Sequence, residues 1–125
     1  MKENKFEVCD IVETQEGNFG VVLSNKLNKN GKVTFGILWG DFDPDKIYCR
    51  TATVKQLSEL NPLKKDGAVL VSRIDHSALN TSARIIRNQG FPKTLKKVKN
   101  ANKNLRLWAA AVMLHCPSAM AQLED

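Results

Sequence analysis

Apolar and polar positions alternate along the first sixty residues with the period of a β-strand. The clearest run is Lys32 to Trp39, where Val33, Phe35, Ile37 and Trp39 fall on one face and Thr34, Gly36 and Leu38 on the other. Upstream, KFEVCDIVET and FGVVLSN are rich in β-branched and aromatic residues and are separated by EGNF. NKNG at 28–31 and GDFDPD at 40–45 are turn signals, KIYCR at 46–50 reads as a short returning strand, and TVKQLSEL reads as a strand running into a helical turn. Five short strands with tight turns between them predict a small barrel, closed or nearly closed.

The period changes after Asn61, Pro62 and the LKKDG linker. GAVLVSRI predicts one more strand, either added to the barrel edge or packed beside it. HSALNTSARIIRNQG then has helical spacing. Leu79, Ala83 and Ile86 share a face with Ile85 adjacent, Ser77 is the candidate N-cap, and Gly90 followed by Pro92 is the stop. A second, longer helix is predicted from Lys93, capped by Thr94. Leu95, Val98, Leu105, Ala109 and Val112 form its apolar stripe, with Asn102 among them. Lys96, Lys99, Lys103 and Arg106 lie on nearly the opposite side, with Lys93 and Lys97 to one flank. From Leu107 to Leu114 the helix is apolar nearly all round, which predicts burial or a homodimer through that segment. Pro117 ends or kinks it, leaving Ser118 to Asp125 as a short tail or last turn. The expectation is an α+β protein: an N-terminal SH3-like barrel over 1–62, then a basic helical region over 63–125, packed on the barrel or on a partner.

In the first half, VCDIVETQEGNFGVVL resembles the KOW motif and, more broadly, an SH3-like barrel. Asp10, Val12, Gly17, Gly20 and Val22 match its strand entry, turn and second strand, while Cys9 stands where the motif usually has Gly. The likeness covers about sixteen residues closely and the first sixty by strand pattern. It implies a small barrel, in a group whose members often bind RNA, ribosomes or transcription machinery, although SH3-like barrels also bind peptides and proteins. The local reason for Gly17 and Gly20 is a tight turn, which needs positive φ or close backbone approach.

Charge sharpens the functional question. The net charge is +6, yet the first 62 residues hold eight Lys or Arg and nine Asp or Glu, against eleven and four in the rest. RNQGFPKTLKKVKNANKNLR, residues 87–106, carries seven positive side chains, and no acid occurs from Ile85 to Leu123. Solvated helix faces usually mix signs, so this asymmetry predicts an anionic partner. The expected function is non-enzymatic binding of DNA or RNA, with Arg84, Arg87, Lys93, Lys96, Lys97, Lys99, Lys103 and Arg106 contacting phosphates. Phe42 and Tyr48, beside the acidic turn, are candidate aromatic contacts. The competing expectation is an inhibitor or adaptor, such as phage and mobile elements encode, docking the basic helix on an acidic protein surface. The helix–break–helix order around Gly90 does not fit a helix-turn-helix, because the NQGFP connection is too long.

Other chemistry is thinner. Asp41, Asp43 and Asp45 suggest a calcium loop, but its sixth and twelfth positions are Lys46 and Ala52 rather than Gly and Glu. Cys9, Cys49, His115 and Cys116 include no C-x-x-C pair for zinc. His76 between Asp75 and Ser77 reads as a helix start rather than a triad. Without a phosphate loop, a dinucleotide fingerprint or a nucleophile beside paired carboxylates, neither an enzyme nor a cofactor is expected. Three widely spaced cysteines, no signal-peptide pattern and no apolar run of membrane-spanning length predict a cytoplasmic protein.

Overall fold

The computed structural model describes residues 6–27, 29–31, 33–40, 53–57, 67–90 and 102–116. Five strands and two helices follow in the order β1 (Asp10–Thr14), β2 (Phe19–Leu27), β3 (Val33–Gly40), β4 (Thr53–Leu57), β5 (Ala68–Arg73), α1 (His76–Gln89) and α2 (Asn102–Leu114). The strands form one antiparallel sheet in the order β4-β3-β2-β1-β5. Four strands come from the N-terminal half, and β5 adds to the edge that β1 would otherwise leave open. The sheet thus draws on the chain on both sides of residue 62. Its two edges are β4 and β5, and no pairing joins them among the described residues. The architecture is α+β with an open sheet rather than a closed barrel. The KIYCR stretch lies outside the described residues.

Strand alternation sorts the core into two clusters. Val12, Val22, Phe35, Ile37 and Ala68 pack with Phe6 on one face, with Val33 and Trp39 against them. Phe6 and Phe35 meet edge to face, centroids 5.6 Å apart. Ile11, Phe19, Val21, Leu23 and Leu38 pack on the other face, together with Leu79, Ala83 and Ile86 of α1 and Leu105 and Leu107 to Met113 of α2. The expected grouping of Val33, Phe35, Ile37 and Trp39 holds. Register shifts at Ile11/Val12 and Val22/Ser24 interrupt the ladders where simple alternation had no means of predicting them.

Glycines permit two close approaches. A Cβ on Gly20 would stand 2.5 Å from Ile37 Cγ2 and 2.7 Å from the Trp39 ring, so Trp39 lies across the strand on a bare backbone. A Cβ on Gly40 would stand 2.7 Å from Val112 Cγ2, so α2 packs tightly against the end of β3. Gly17 serves differently: its φ of 88° closes the β1–β2 hairpin, with its N–H donating to the Thr14 carbonyl.

Helix α1 begins two residues earlier than the Ser77 cap predicts. Asp75 is its N-cap, in extended conformation, and makes no side-chain cap hydrogen bond. Gly90 ends it as expected, with φ 82° and its N–H bonded to the Ile86 carbonyl. The predicted start of the second helix at Lys93, its Thr94 cap, and Leu95 and Val98 lie outside the described residues. Helix α2 from Leu105 onward is covered by its own chain: Leu105 and Leu107 through Met113 are all buried, and Trp108 meets Phe19 edge to face at 5.7 Å. Of the two expectations for Leu107–Leu114, burial is the one the chain itself provides through Met113. The segment is apolar all round because it sits inside the molecule.

Candidate functional site

The site is built outward from the start of β1. Residues 7–10 form a turn in which the Asp10 N–H donates to the Glu7 carbonyl at 3.0 Å and the Glu7 N–H donates to Asp10 Oδ2 at 2.8 Å. Cys9, in the third place, has φ 78°, the left-handed value that a turn of this kind ordinarily assigns to glycine. The Cys9 N–H is anchored to the Val22 carbonyl at 2.8 Å. Cys9 thus holds a backbone conformation that glycine adopts more cheaply.

The turn delivers the wholly buried carboxylate of Asp10 to Arg73, its register partner at the end of β5. Arg73 Nε donates to Oδ1 and a terminal guanidinium nitrogen to Oδ2, both at 3.0 Å, a bidentate pair. Glu7 adds a carboxylate 3.6 Å from Arg73 Nε. The hydrogen bonds and charge of Asp10 push the Arg73 pKa above its already high value, so the guanidinium is a permanent cation. Half of the Arg73 side chain remains exposed.

Beyond Arg73 the chain runs through Ile74 and Asp75 into α1 and leaves a cleft of about 240 Å³. Ser72, Arg73, Ile74, Asp75, Ala78 and Arg106 line it, Arg106 arriving half-buried from α2. The first hydrogen bond within α1 is Leu79 N–H to the Asp75 carbonyl, so the amides of the first turn point out of the helix end.

The sequence-predicted basic residues divide. Arg84 and Arg87 are exposed on α1, and Arg87 in the last turn also suits the negative end of the helix dipole. Arg106 faces the opposite end of that helix, in the cleft with Arg73. Six and nine residues along α1 separate Ala78, at the cleft, from Arg84 and Arg87. The structure therefore does not gather the three described arginines into one line. Lys103 belongs to α2, with its side chain outside the description. Lys93, Lys96, Lys97, Lys99, Phe42 and Tyr48 lie outside the described residues.

Arg73 is the residue that sequence reasoning passed over. Its signal is faint, a single Arg closing an apolar strand, and its partner is 63 positions away. Among the described residues no group of three His, Cys, Asp or Glu is placed to hold a metal, and no helix is long and apolar enough to cross a membrane. Cys9 and Cys116 form no disulfide among the described residues; burial, then the Asp10 charge, pushes the Cys9 pKa up to about 11. Compared with known proteins, the chain matches no family model, no curated protein and no solved structure.

Proposed function

We propose that the protein binds nucleic acid, without catalysis, through its basic second half. The observation that carries this reading is the unbroken run from Ile85 to Leu123 with seven Lys or Arg and no acid. Arg84, Arg87, Lys93, Lys96, Lys97, Lys99, Lys103 and Arg106 supply the phosphate contacts, of which Arg84 and Arg87 are exposed on a helix that contains no acid of its own. Phosphate contacts position a protein but carry little sequence information, so sequence preference is weak. The resemblance of VCDIVETQEGNFGVVL to the KOW motif, whose bearers often bind RNA, points the same way.

The test is a titration of duplex DNA, single-stranded DNA and RNA with the full chain at several salt concentrations. Affinity falls linearly with salt on logarithmic axes as counterions are released. Neutralising Lys96, Lys99 and Lys103 together weakens binding and flattens that slope. Absence of binding at low salt overturns the proposal. An acidic protein surface is then the partner to seek, and Val69 and Leu70, exposed on edge strand β5, would give it an apolar footing.

A further inference from the structure

We infer that the outer face of α1 lies along the phosphate backbone of a double helix, with Ser77, Arg84 and Asn88 making the contacts. The inference rests on the nucleic-acid reading and adds to it the strand form and the face that meets it.

Helix geometry sets the face. At 100° per residue, Ser77, Thr81, Arg84 and Asn88 fall within about 60° of one another, and all four are exposed. Leu79, Ala83 and Ile86 lie on the opposite side and pack into the core with the sheet and α2. The row therefore looks away from the rest of the described molecule. From Ser77 to Asn88 it runs about 16 Å, at roughly 1.5 Å per residue.

The chemistry of the row suits a chain of anions. The Ser77 hydroxyl, the Arg84 guanidinium and the Asn88 amide can each donate a hydrogen bond to a phosphate oxygen. Arg84 makes no ion pair among the described residues, so its charge is not already neutralised there. Thr81 stands between them; its hydroxyl donates to the Ser77 carbonyl at 3.0 Å, and its small size leaves room for close approach. Helix α1 holds no acid, not even in its first turn, where a helix standing in water gains from one. The nearest acid in the chain, Asp75, precedes the helix.

A double helix fits this face better than a single strand. The row is straight and its spacing is fixed by the helix, which matches phosphates held at regular intervals. Single-strand binders stack bases on exposed aromatic rings. Among the described residues the large exposed apolar side chains are Val8, Val54, Val69, Leu70 and Ile85, and none is aromatic.

The test titrates the full chain with short duplex DNA, duplex RNA and single-stranded DNA of one sequence, at several salt concentrations. Three variants accompany the parent. Arg84→Gln removes the charge of the row. Ser77→Glu places an acid in the row, in a first turn where an acid favours the helix, so its unfolding midpoint should equal or exceed that of the parent. Gln15→Glu makes the same change of net charge at the exposed β1–β2 turn, outside α1. A duplex is expected to bind more tightly than the single strand. Arg84→Gln should weaken duplex binding roughly tenfold and flatten its salt slope by about one unit, the release of one counterion fewer. Ser77→Glu should weaken it well beyond Gln15→Glu. Duplex binding indifferent to Arg84→Gln, or weakened equally by Ser77→Glu and Gln15→Glu, overturns the α1 face and leaves the nucleic-acid reading standing. Tighter binding of the single strand than of either duplex overturns the double helix as partner. Absence of binding to all three at low salt overturns both the inference and the reading beneath it.

Discussion

The Asp10 carboxylate and the Arg73 guanidinium meet through two N–H···O bonds of 3.0 Å across 63 residues of chain. The pair ties the turn that opens β1 to the strand that closes the sheet edge. Its two ends differ: Asp10 is wholly buried, whereas half of Arg73 reaches water. Breaking a pair from the side of its cation strands a buried charge, which is the costlier half of the exchange.

The first prediction concerns that pair. Arg73→Ala and Asp10→Ala should each lower the midpoint of denaturant unfolding. Once Arg73 is gone, removing Asp10 as well relieves the stranded carboxylate. The double variant should therefore be less destabilised than the two single losses added together. Strict additivity in the cycle would show that the two residues act independently.

A second prediction rests on the contact between Gly40 and Val112. The added methyl of Gly40→Ala would stand 2.7 Å from Val112 Cγ2, inside the packed junction of β3 and α2. The expected cost is about 1–3 kcal/mol, the range for overpacking a core. Val112→Ala alone leaves a cavity and is also destabilising. Together the new methyl occupies part of the space given up, so the double variant should recover stability relative to Gly40→Ala. Equal stability of Gly40→Ala and its double would show that α2 does not rest on β3 at this point.

The third prediction follows from the φ of 78° at Cys9. Glycine ordinarily makes a chain less stable than alanine by about 0.4–1 kcal/mol, because its unfolded state is freer. At a left-handed position the order reverses, since a Cβ there costs roughly 1–2 kcal/mol. Both variants give up the buried sulfur equally. Cys9→Gly should consequently unfold at a higher denaturant concentration than Cys9→Ala. The opposite order would mean that the turn relaxes to negative φ without cost.

These positions also show what a sequence exposes about its fold. The faces of β3 were readable because Val33, Phe35, Ile37 and Trp39 obey a local period of two, and the end of α1 was readable because Gly90 answers a local backbone need. The register shifts at Ile11/Val12 and Val22/Ser24 were not, because they depend on neighbouring strands. The N-cap lies two residues before Ser77 because Asp75 and Ser77 are about equal as local cap signals, and Asp75 takes the place without a side-chain cap bond. All-round apolar spacing in α2 foretold coverage but not what covers it, and the answer, its own sheet and α1, is tertiary. For the site, the arginines of α1 were legible as charges. The meeting of Arg73 with Asp10 was hidden, since it joins a strand end to a turn 63 positions away.

The last prediction turns on the Cys9 thiol. Burial and the Asp10 charge hold its folded pKa up to about 11, while an unfolded cysteine titrates near 8.5. Below the unfolded value both states keep the proton, and the group gives no pH dependence. Above it the unfolded thiol ionises first, so stability contributed by the protonated, buried form is lost as pH rises toward 11. Unfolding measured from pH 7 upward should show this alkaline loss, and Cys9→Gly should show less of it. The same burial predicts the order of alkylation under native conditions. Cys116, half-buried at the end of α2, should be modified before Cys9, and Cys9 should react only when the chain unfolds. Rapid native alkylation of Cys9, read by peptide mass mapping, would mean that the turn at residues 7–10 opens far more often than its hydrogen bonds to Asp10 and Val22 imply.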